Sequence, residues 1–382
     1  MKKERLGSID MLRGVVMVIM ALDHVRWMLS SPLPGGFDFS NADAPLFFTR
    51  WISHLCAPTF IFLAGISAFL YGAAGRSKRE VSHFLVTRGI WLVFIELTVV
   101  NFGWNFNVGP DYVPFLQVIW AIGISMIVLG GLVWLPRSVI VGVGLVMILG
   151  HNLLDAVQPT AGTASALWFL LHIKGKIAFG GVAIHALYPL IPWIGVMAVG
   201  YAIGPVFADA HPERPCRLVQ VGLLLVFLFA VLRLLNLYGD SNTWHVHDTF
   251  EATVVDVLNA TKYPPSLHYL LMTLGPAFIL LGAFERSRGR IANWLVVIGR
   301  VPFFFYILHI YVIHCVALVV GVIQGFSVAR IAVDFELYPP EFGVGLGVVY
   351  LFWIGIVVAL YPACAWFAGV KARRRERWLS YL

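Results

Sequence analysis

Ten apolar stretches run through the chain, at about 8–31, 46–73, 82–104, 113–135, 137–157, 183–207, 215–237, 265–284, 292–323 and 342–370. Each compares with the roughly 20 apolar residues that a helix needs to cross a bilayer. In hydrocarbon every backbone N–H and C=O must bond within the protein, so a run of such segments folds as helices. The sequence therefore predicts an all-α, polytopic membrane helix bundle of about ten transmembrane helices, a single domain over residues 1–382. With 59% hydrophobic and 12% charged residues, little chain remains for an aqueous domain, which excludes a soluble globular protein. Cys56, Cys315 and Cys364 lie in apolar runs and Cys216 beside basic residues, a pattern of packing residues rather than a disulfide framework.

The basic residues fall between alternate stretches: Lys2, Lys3 and Arg5; Arg76, Lys78 and Arg79; Arg137; Arg214 and Arg217; Arg286, Arg288 and Arg290; then Lys371 to Arg377. By the positive-inside rule both termini are expected to be cytoplasmic. The net charge of +7 is thus a matter of orientation in a bilayer, not of nucleic-acid binding. Met1 to Arg5 mimics the start of a signal peptide. Asp10 and Arg13 interrupt the apolar run, however, and no small-residue cleavage site follows, so a retained first span is expected. Ala166-Leu-Trp-Phe-Leu-Leu-His172 is too short to span and precedes Lys174 and Lys176, so 158–182 reads as an interfacial or re-entrant piece.

The first stretch carries Asp10, Arg13, Asp23 and His24. An intramembrane charge costs about 2.5–3.5 kcal/mol on insertion scales, which points to a site or a water-filled cavity. At 100° per residue, Arg13 and His24 share a face with Met17 and Met20 between them, separated by about 16 Å of rise. With the orientation above, His24, His54, Glu96, Asn101, Arg233, Asn236, Lys262, Ser266 and His314 lie in the outer half and His309 nearer the middle. Asp10, Arg13, Arg88 and Arg300 lie in the inner half. An outer polar pocket joined to an inner basic region along the first helix is the simplest cavity that fits.

His24 is the leading candidate for chemistry, because imidazole exchanges protons near neutral pH and Asp23 or a neighbouring helix can orient it. The alternative is a structural hydrogen bond to that helix. His54 lies one turn before Pro58, where a broken helical turn offers it either a functional or a satisfying role. Glu96 and Arg88 are too far apart around one helix to pair directly, so each is expected to pair across helices. His309 and His314 are five apart and diverge, so they make no two-histidine metal face; His309 is the one to line the cavity. His245 and His247 are too sparse to indicate a metal, and none is predicted. Lys262-Tyr-Pro-Pro-Ser266 suits an outer mouth or a rigid helix entry, and Arg233 is left inside a span. Phosphate-binding loops, nucleophile elbows and Cys-x-x-Cys pairs are missing from the sequence.

Several blocks in order resemble the compact prokaryotic members of the membrane-bound acyltransferases related to heparan-alpha-glucosaminide N-acetyltransferase. They are Ser8-Ile-Asp-Met-Leu-Arg-Gly14, His54-Leu-Cys-Ala-Pro-Thr-Phe-Ile-Phe-Leu-Ala-Gly65, Thr87-Arg-Gly-Ile-Trp91, Tyr188-Pro-Leu-Ile-Pro-Trp-Ile-Gly195, Lys262-Tyr-Pro-Pro-Ser266 and Gly299-Arg-Val-Pro302. Arg13 and His24 also look like the basic residue, ten-residue gap and histidine of the wider transmembrane acyltransferase superfamily.

The resemblance implies transfer of an acetyl or other acyl group from cytoplasmic acyl-CoA, such as acetyl-CoA, to a sugar or glycolipid acceptor at the outer face of a bacterial cytoplasmic (inner) membrane. It places Arg13, with Asp10 and Arg300, at the coenzyme end. His24, aided by Asp23 or His54, becomes the base, and Arg233, Asn236, Lys262, Ser266 and His309 become acceptor contacts. The animal enzymes place a histidine in the loop after the first helix. Residues 31–50 here hold Asp38, Asn41 and Asp43 and no histidine, so the role passes to His24 or His54. A transporter or lipid flippase using the same polar cavity is the alternative, and a homodimer stays open.

Overall fold

The computed structural model describes residues 7–30, 43–109, 112–157, 162–179, 182–209, 211–333, 337–374, 376 and 379. Along the chain come α1 (Gly7–Leu29), α2 (Ala44–Ser53), α3 (Cys56–Ala73), α4 (Lys78–Ile95), a π-helical turn (Glu96–Val100) and α5 (Asn101–Asn105). Strand β1 (Phe115–Leu116) precedes α6 (Val118–Leu132), α7 (Arg137–Gly150), a 3-10 turn (His151–Leu154) and α8 (Thr163–Leu171). Strands β2 (Gly175–Phe179) and β3 (Val182–Ala186) lead to α9 (Leu190–Ala202), α10 (Pro205–Ala208), α11 (Arg214–Leu234), α12 (Phe250–Leu258) and α13 (Leu267–Phe284). The chain closes with α14 (Arg290–Arg300), α15 (Pro302–Ile323), α16 (Val328–Ile331) and α17 (Leu346–Arg373).

The protein is an all-α multi-pass membrane bundle with a small sheet. Among the described residues, seven helical segments are long and apolar enough to cross a membrane: Ala44–Ala73, Lys78–Asn105, Arg137–Leu154, Arg214–Leu234, Leu267–Phe284, Pro302–Ile323 and Leu346–Arg373. The other three expected positions hold the shorter apolar helices α6 and α9, and α1 with its four charges, Asp10, Arg13, Asp23 and Arg26. Apolar side chains such as Val146, Leu223, Phe227 and Leu351 stay exposed, as suits helix faces turned to lipid.

Three local features differ from the sequence expectation. The 158–182 piece, of which 158–161 lie outside the described residues, contains α8 and then β2. Lys174, Lys176 and Ala178 are exposed while the residues between them are half-buried, the period of two that marks a strand. Strand β3 pairs antiparallel with β2 and parallel with β1, placing Phe115 opposite His185 and Leu116 opposite Ala186. The 292–323 stretch breaks between Arg300 and Pro302, since proline lacks the N–H that would continue the helix and holds Val301 out of the helical region. The 46–73 stretch breaks at His54 and Leu55, between α2 and α3.

The chain forms two compact units. The first comprises residues 1–56, 98–112 and 286–382, and the second residues 57–97 and 113–285.

In the first unit α1 crosses α14 backbone to backbone. A Cβ on Gly14 would lie 2.0 Å from the Leu295 carbonyl oxygen, and one on Gly299 would lie 1.7 Å from that of Asp10. Two of the blocks that carry the family resemblance, 8–14 and 299–302, therefore meet at this crossing. Trp353 of α17 donates its indole N–H to the Val18 carbonyl at 2.8 Å, and Tyr311 of α15 donates its hydroxyl to Val99 at 2.8 Å. Leu12, Val16, Val25 and Met28 of α1 are fully buried.

The second unit packs in the same manner, with small residues letting α7 meet α9 and α11 meet α13. Phe62 rests against Phe278 with ring centroids 5.0 Å apart, and Trp193 is fully buried. Arg214 at the start of α11 pairs with Glu285 just past the end of α13.

Candidate active site

The chemistry-bearing group of the first unit is a pair of histidines from α1 and α15. Nδ1 of His24 lies 2.8 Å from Nε2 of His309, and Nδ1 of His309 lies 2.9 Å from the Phe305 carbonyl oxygen. The ring planes differ by only 12° with centroids 4.9 Å apart. A nitrogen–nitrogen distance this short is below any face-to-face contact, so the rings meet edge to edge, nearly in one plane. His309 is fully buried while His24 is half-buried. Trp104 meets the His24 ring edge-on at 4.8 Å, and Tyr306 lies 6.1 Å from it. Trp104, Tyr306 and Ile310 are themselves buried, so one side of the pair is an apolar aromatic wall.

Local sequence explains the arrangement. Pro302 begins α15 and puts Phe305, Tyr306 and His309 on adjoining positions of one helix face at spacings of three and four. α5 ends at Phe106, a left-handed residue with φ 47°, whose ring stacks on His314 at 4.0 Å. His314 itself lies between the carbonyls of Gly103 at 3.0 Å and Ile331 at 3.2 Å, which fastens the segment bearing Trp104 to α15.

The other end of α1 holds the basic cluster. Arg13 Nη1 lies 3.3 Å from Oδ1 of Asp10, and Arg300 Nε lies 3.7 Å from Oδ2 of the same carboxylate. Among the described residues, two guanidiniums thus approach this one carboxylate. The Arg300 side chain is 48% exposed, so an anionic group can reach it. Met17 and Met20, between Arg13 and His24, are buried. Asp23, beside His24 in sequence, forms an ion pair with Arg26 at 2.7 Å, and Arg26 sits 4.5 Å over the Trp27 ring. His54 is buried at the break between α2 and α3, where Ser53 donates its hydroxyl to the Arg50 carbonyl at 2.6 Å.

Of the outer-half candidates in the second unit, Arg233 and Ser266 come together around Asp240. Arg233 lies 4.0 Å from the Asp240 carboxylate with both side chains fully buried, and Ser266 and Thr261 donate their hydroxyls to it at 2.8 and 2.7 Å. Arg233 also donates to the carbonyls of Val257 and Asp256, each at 2.9 Å, and of Asn242. A pocket of about 100 Å³ opens beside this network, lined by Asn152, Asp155, Asp240, Thr261 and Ser266 among others. Asn236 is engaged with the backbone of Trp244 through both its amide oxygen and its nitrogen, and Lys262 lies 5.2 Å from the Tyr263 ring.

Glu96 meets main chain across elements. Its carboxylate accepts from the Gln117 N–H at 3.0 Å and faces the N–H groups of Ile119 and Trp120, the unsatisfied donors at the start of α6. Outside the spans, His247 Nε2 lies 2.8 Å from the Asp256 carboxylate. Sequence reasoning named His24 and His309 without joining them and overlooked Trp104. Its one signal was Gly103, where a Cβ would come within 2.8 Å of the Tyr311 ring, a small residue marking a close helix approach.

A family model described as "Heparan-alpha-glucosaminide N-acetyltransferase, catalytic" matches residues 5–232. The match includes Asp10, Arg13, His24 and His54, while Arg300, His309 and the Asp240 loop lie beyond it. No curated protein matches the chain. With more than half of the sequence matched, and a helical membrane fold bearing its charged and imidazole groups along α1, the chain belongs to the heparan-alpha-glucosaminide N-acetyltransferase catalytic family, a family of membrane transferases of the acetyltransferase type.

Proposed function

We propose that the protein transfers an acetyl or other acyl group from cytoplasmic acyl-CoA to a hydroxyl or amine of a sugar or glycolipid at the outer face of a bacterial cytoplasmic membrane. The observation that carries this reading is the placement on one helix of an anion-accepting cluster, Asp10–Arg13–Arg300, and of the half-buried His24. Their separation along α1, about 16 Å from eleven residues of rise, is comparable with an extended pantetheine arm. Arg13 and Arg300 hold the charged end of the donor, and His24 faces its thioester.

In the reaction the acceptor O–H or N–H gives its proton to His24 while the acceptor atom bonds to the thioester carbonyl carbon. The carbon–sulfur bond then breaks, and the departing thiolate takes the proton from His24. The products are the acylated acceptor and free CoA thiol. Within the second unit, Arg233, Asn236, Lys262 and Ser266 are polar groups of the kind that bind a hydroxyl-rich acceptor.

The test is purified protein in vesicles with labelled acetyl-CoA and a glycan acceptor panel. The wild type is expected to yield labelled acceptor. His24→Ala is expected to lower turnover by about 10²–10⁴-fold, the worth of a general base. Unchanged transfer by His24→Ala with loss in His54→Ala moves the base to His54. Acceptor movement across the membrane without acylation replaces the transferase reading with a transporter.

A further inference from the structure

Resting on the acyl-transfer reading above, we propose that His309 is a positioning residue that fixes the tautomer of His24, so that Nε2 of His24 is the nitrogen that takes the acceptor's proton. A carbonyl oxygen only accepts, so the ring nitrogen of His309 that lies 2.9 Å from the Phe305 carbonyl must carry hydrogen and donate it. A neutral imidazole has one N–H, which leaves Nε2 of His309 as a lone pair. The atom facing that lone pair at 2.8 Å is Nδ1 of His24, which must therefore be its own N–H, donating to His309. In the neutral pair Nε2 of His24 is therefore the nitrogen without hydrogen.

The geometry supports the assignment independently of the count. With the two rings edge to edge and 12° from coplanar, the N–H of one points along the in-plane lone pair of the other. His309 is fully buried, so the reversed arrangement would set lone pair against lone pair in a place with no solvent to relieve it. His24, by contrast, is half-buried, and it meets His309 through Nδ1.

The same contact changes strength during the reaction. Once Nε2 of His24 takes the acceptor's proton, the ring is an imidazolium, and its Nδ1–H bond to His309 becomes charge-assisted. Returning that proton to the thiolate restores the neutral pair. His309 neither gains nor loses a proton and touches no reacting atom; Phe305 contributes only its carbonyl. The nearest carboxylate in sequence, Asp23, is held by Arg26, which fits a base oriented by a second histidine instead of by an acid.

The test compares His309→Leu with His309→Gln, because the amide oxygen of Gln can stand where Nε2 of His309 stands and accept from His24. Nitrogen-15 NMR of ring-labelled histidine in vesicles reads the tautomer, and labelled acetyl-CoA turnover reads the chemistry. In the wild type, hydrogen on Nδ1 of His24 is expected. His309→Leu is expected to shift hydrogen toward Nε2 and to lower kcat about 10²-fold, the order of a base presented in the wrong tautomer, with KM within about threefold. His309→Gln is expected to retain both the tautomer and most of kcat. Hydrogen on Nε2 of wild-type His24 overturns the proposal, as does a Gln variant no better than Leu, or full turnover in His309→Leu when His24→Ala has none. If His24→Ala transfers normally, the catalytic reading fails while the NMR arm still decides the tautomer. If His309→Leu does not fold, the wild type and His309→Gln suffice.

Discussion

Replacing Gly299 by alanine puts the contact between α1 and α14 to a quantitative test. The added methyl would lie 1.7 Å from the Asp10 carbonyl oxygen, 2.7 Å from its carbon and 2.9 Å from the Gly14 nitrogen. Ordinary contact begins near 3.4 Å, so the two helices must part by up to 3.4 − 1.7 = 1.7 Å. All three obstructing atoms are main chain, so no rotamer change relieves them. Overpacking of this kind costs about 1–3 kcal/mol, and the better helix propensity of alanine returns up to about 1 kcal/mol. A contact as close as 1.7 Å with main chain belongs at the upper end of that range, so the expected result is a net loss of about 2 kcal/mol, read as a lower thermal unfolding midpoint in detergent. Gly355→Ala is the control, because its Cβ meets nothing within 4 Å and only the propensity gain remains. Because α1 also carries His24, a shift of about 1 Å at the reacting group should lower turnover by roughly 10²-fold as well. A Gly299→Ala protein that unfolds at or above the wild-type temperature would refute the backbone contact.

Glu96→Leu should destabilise the protein by about 1–3 kcal/mol by stranding the amides that begin α6, whereas Glu96→Gln, which keeps an acceptor oxygen, should recover most of that in the same unfolding measurement. Arg233→Met leaves the fully buried Asp240 carboxylate uncompensated and should cost about 3–5 kcal/mol; Arg233→Lys should not rescue it, since one ammonium cannot replace a fork that reaches three carbonyls. At Asp256 in α12, burial pushes the carboxyl up, but the His245 amide and the His247 ring outweigh it and hold the group below the usual carboxylate range. Its contribution is therefore complete above the unfolded value near 3.9 and is lost as pH falls through the lowered folded one. Hydrogen exchange at His245 should rise with acid along that limb, and Asp256→Asn should flatten the dependence; an unaltered acid limb would count against the contact.

The helical architecture was readable because lipid leaves apolar runs almost no other way to fold. The break inside the 292–323 stretch has an equally local cause, the N–H that Pro302 lacks, although the apolar run itself reads as continuous. The charges of α1 were legible as an unusual cost, and the shared face of Arg13 and His24 follows from helix geometry alone. The partner of His24 was not legible: His309 is 285 positions away, and nothing local sets which turn of α15 meets which turn of α1. The sheet escaped notice because β1 has only two residues and gains its pairing from β3, a long way down the chain. Glu96 was recognised as costly, but its remedy is main chain at the start of α6, and backbone donors look alike in every sequence.

That sheet has a mechanical consequence. α6 begins two residues after β1 ends and α9 four residues after β3 ends, and the two strands are laced side by side in parallel. The short strands thus act as a yoke on two helices whose entry points are otherwise far apart in sequence. An axial slide of α9 pulls on α6, and Glu96 resists that slide by gripping the amides at the α6 entrance. The pairing thus couples the axial positions of the two helices.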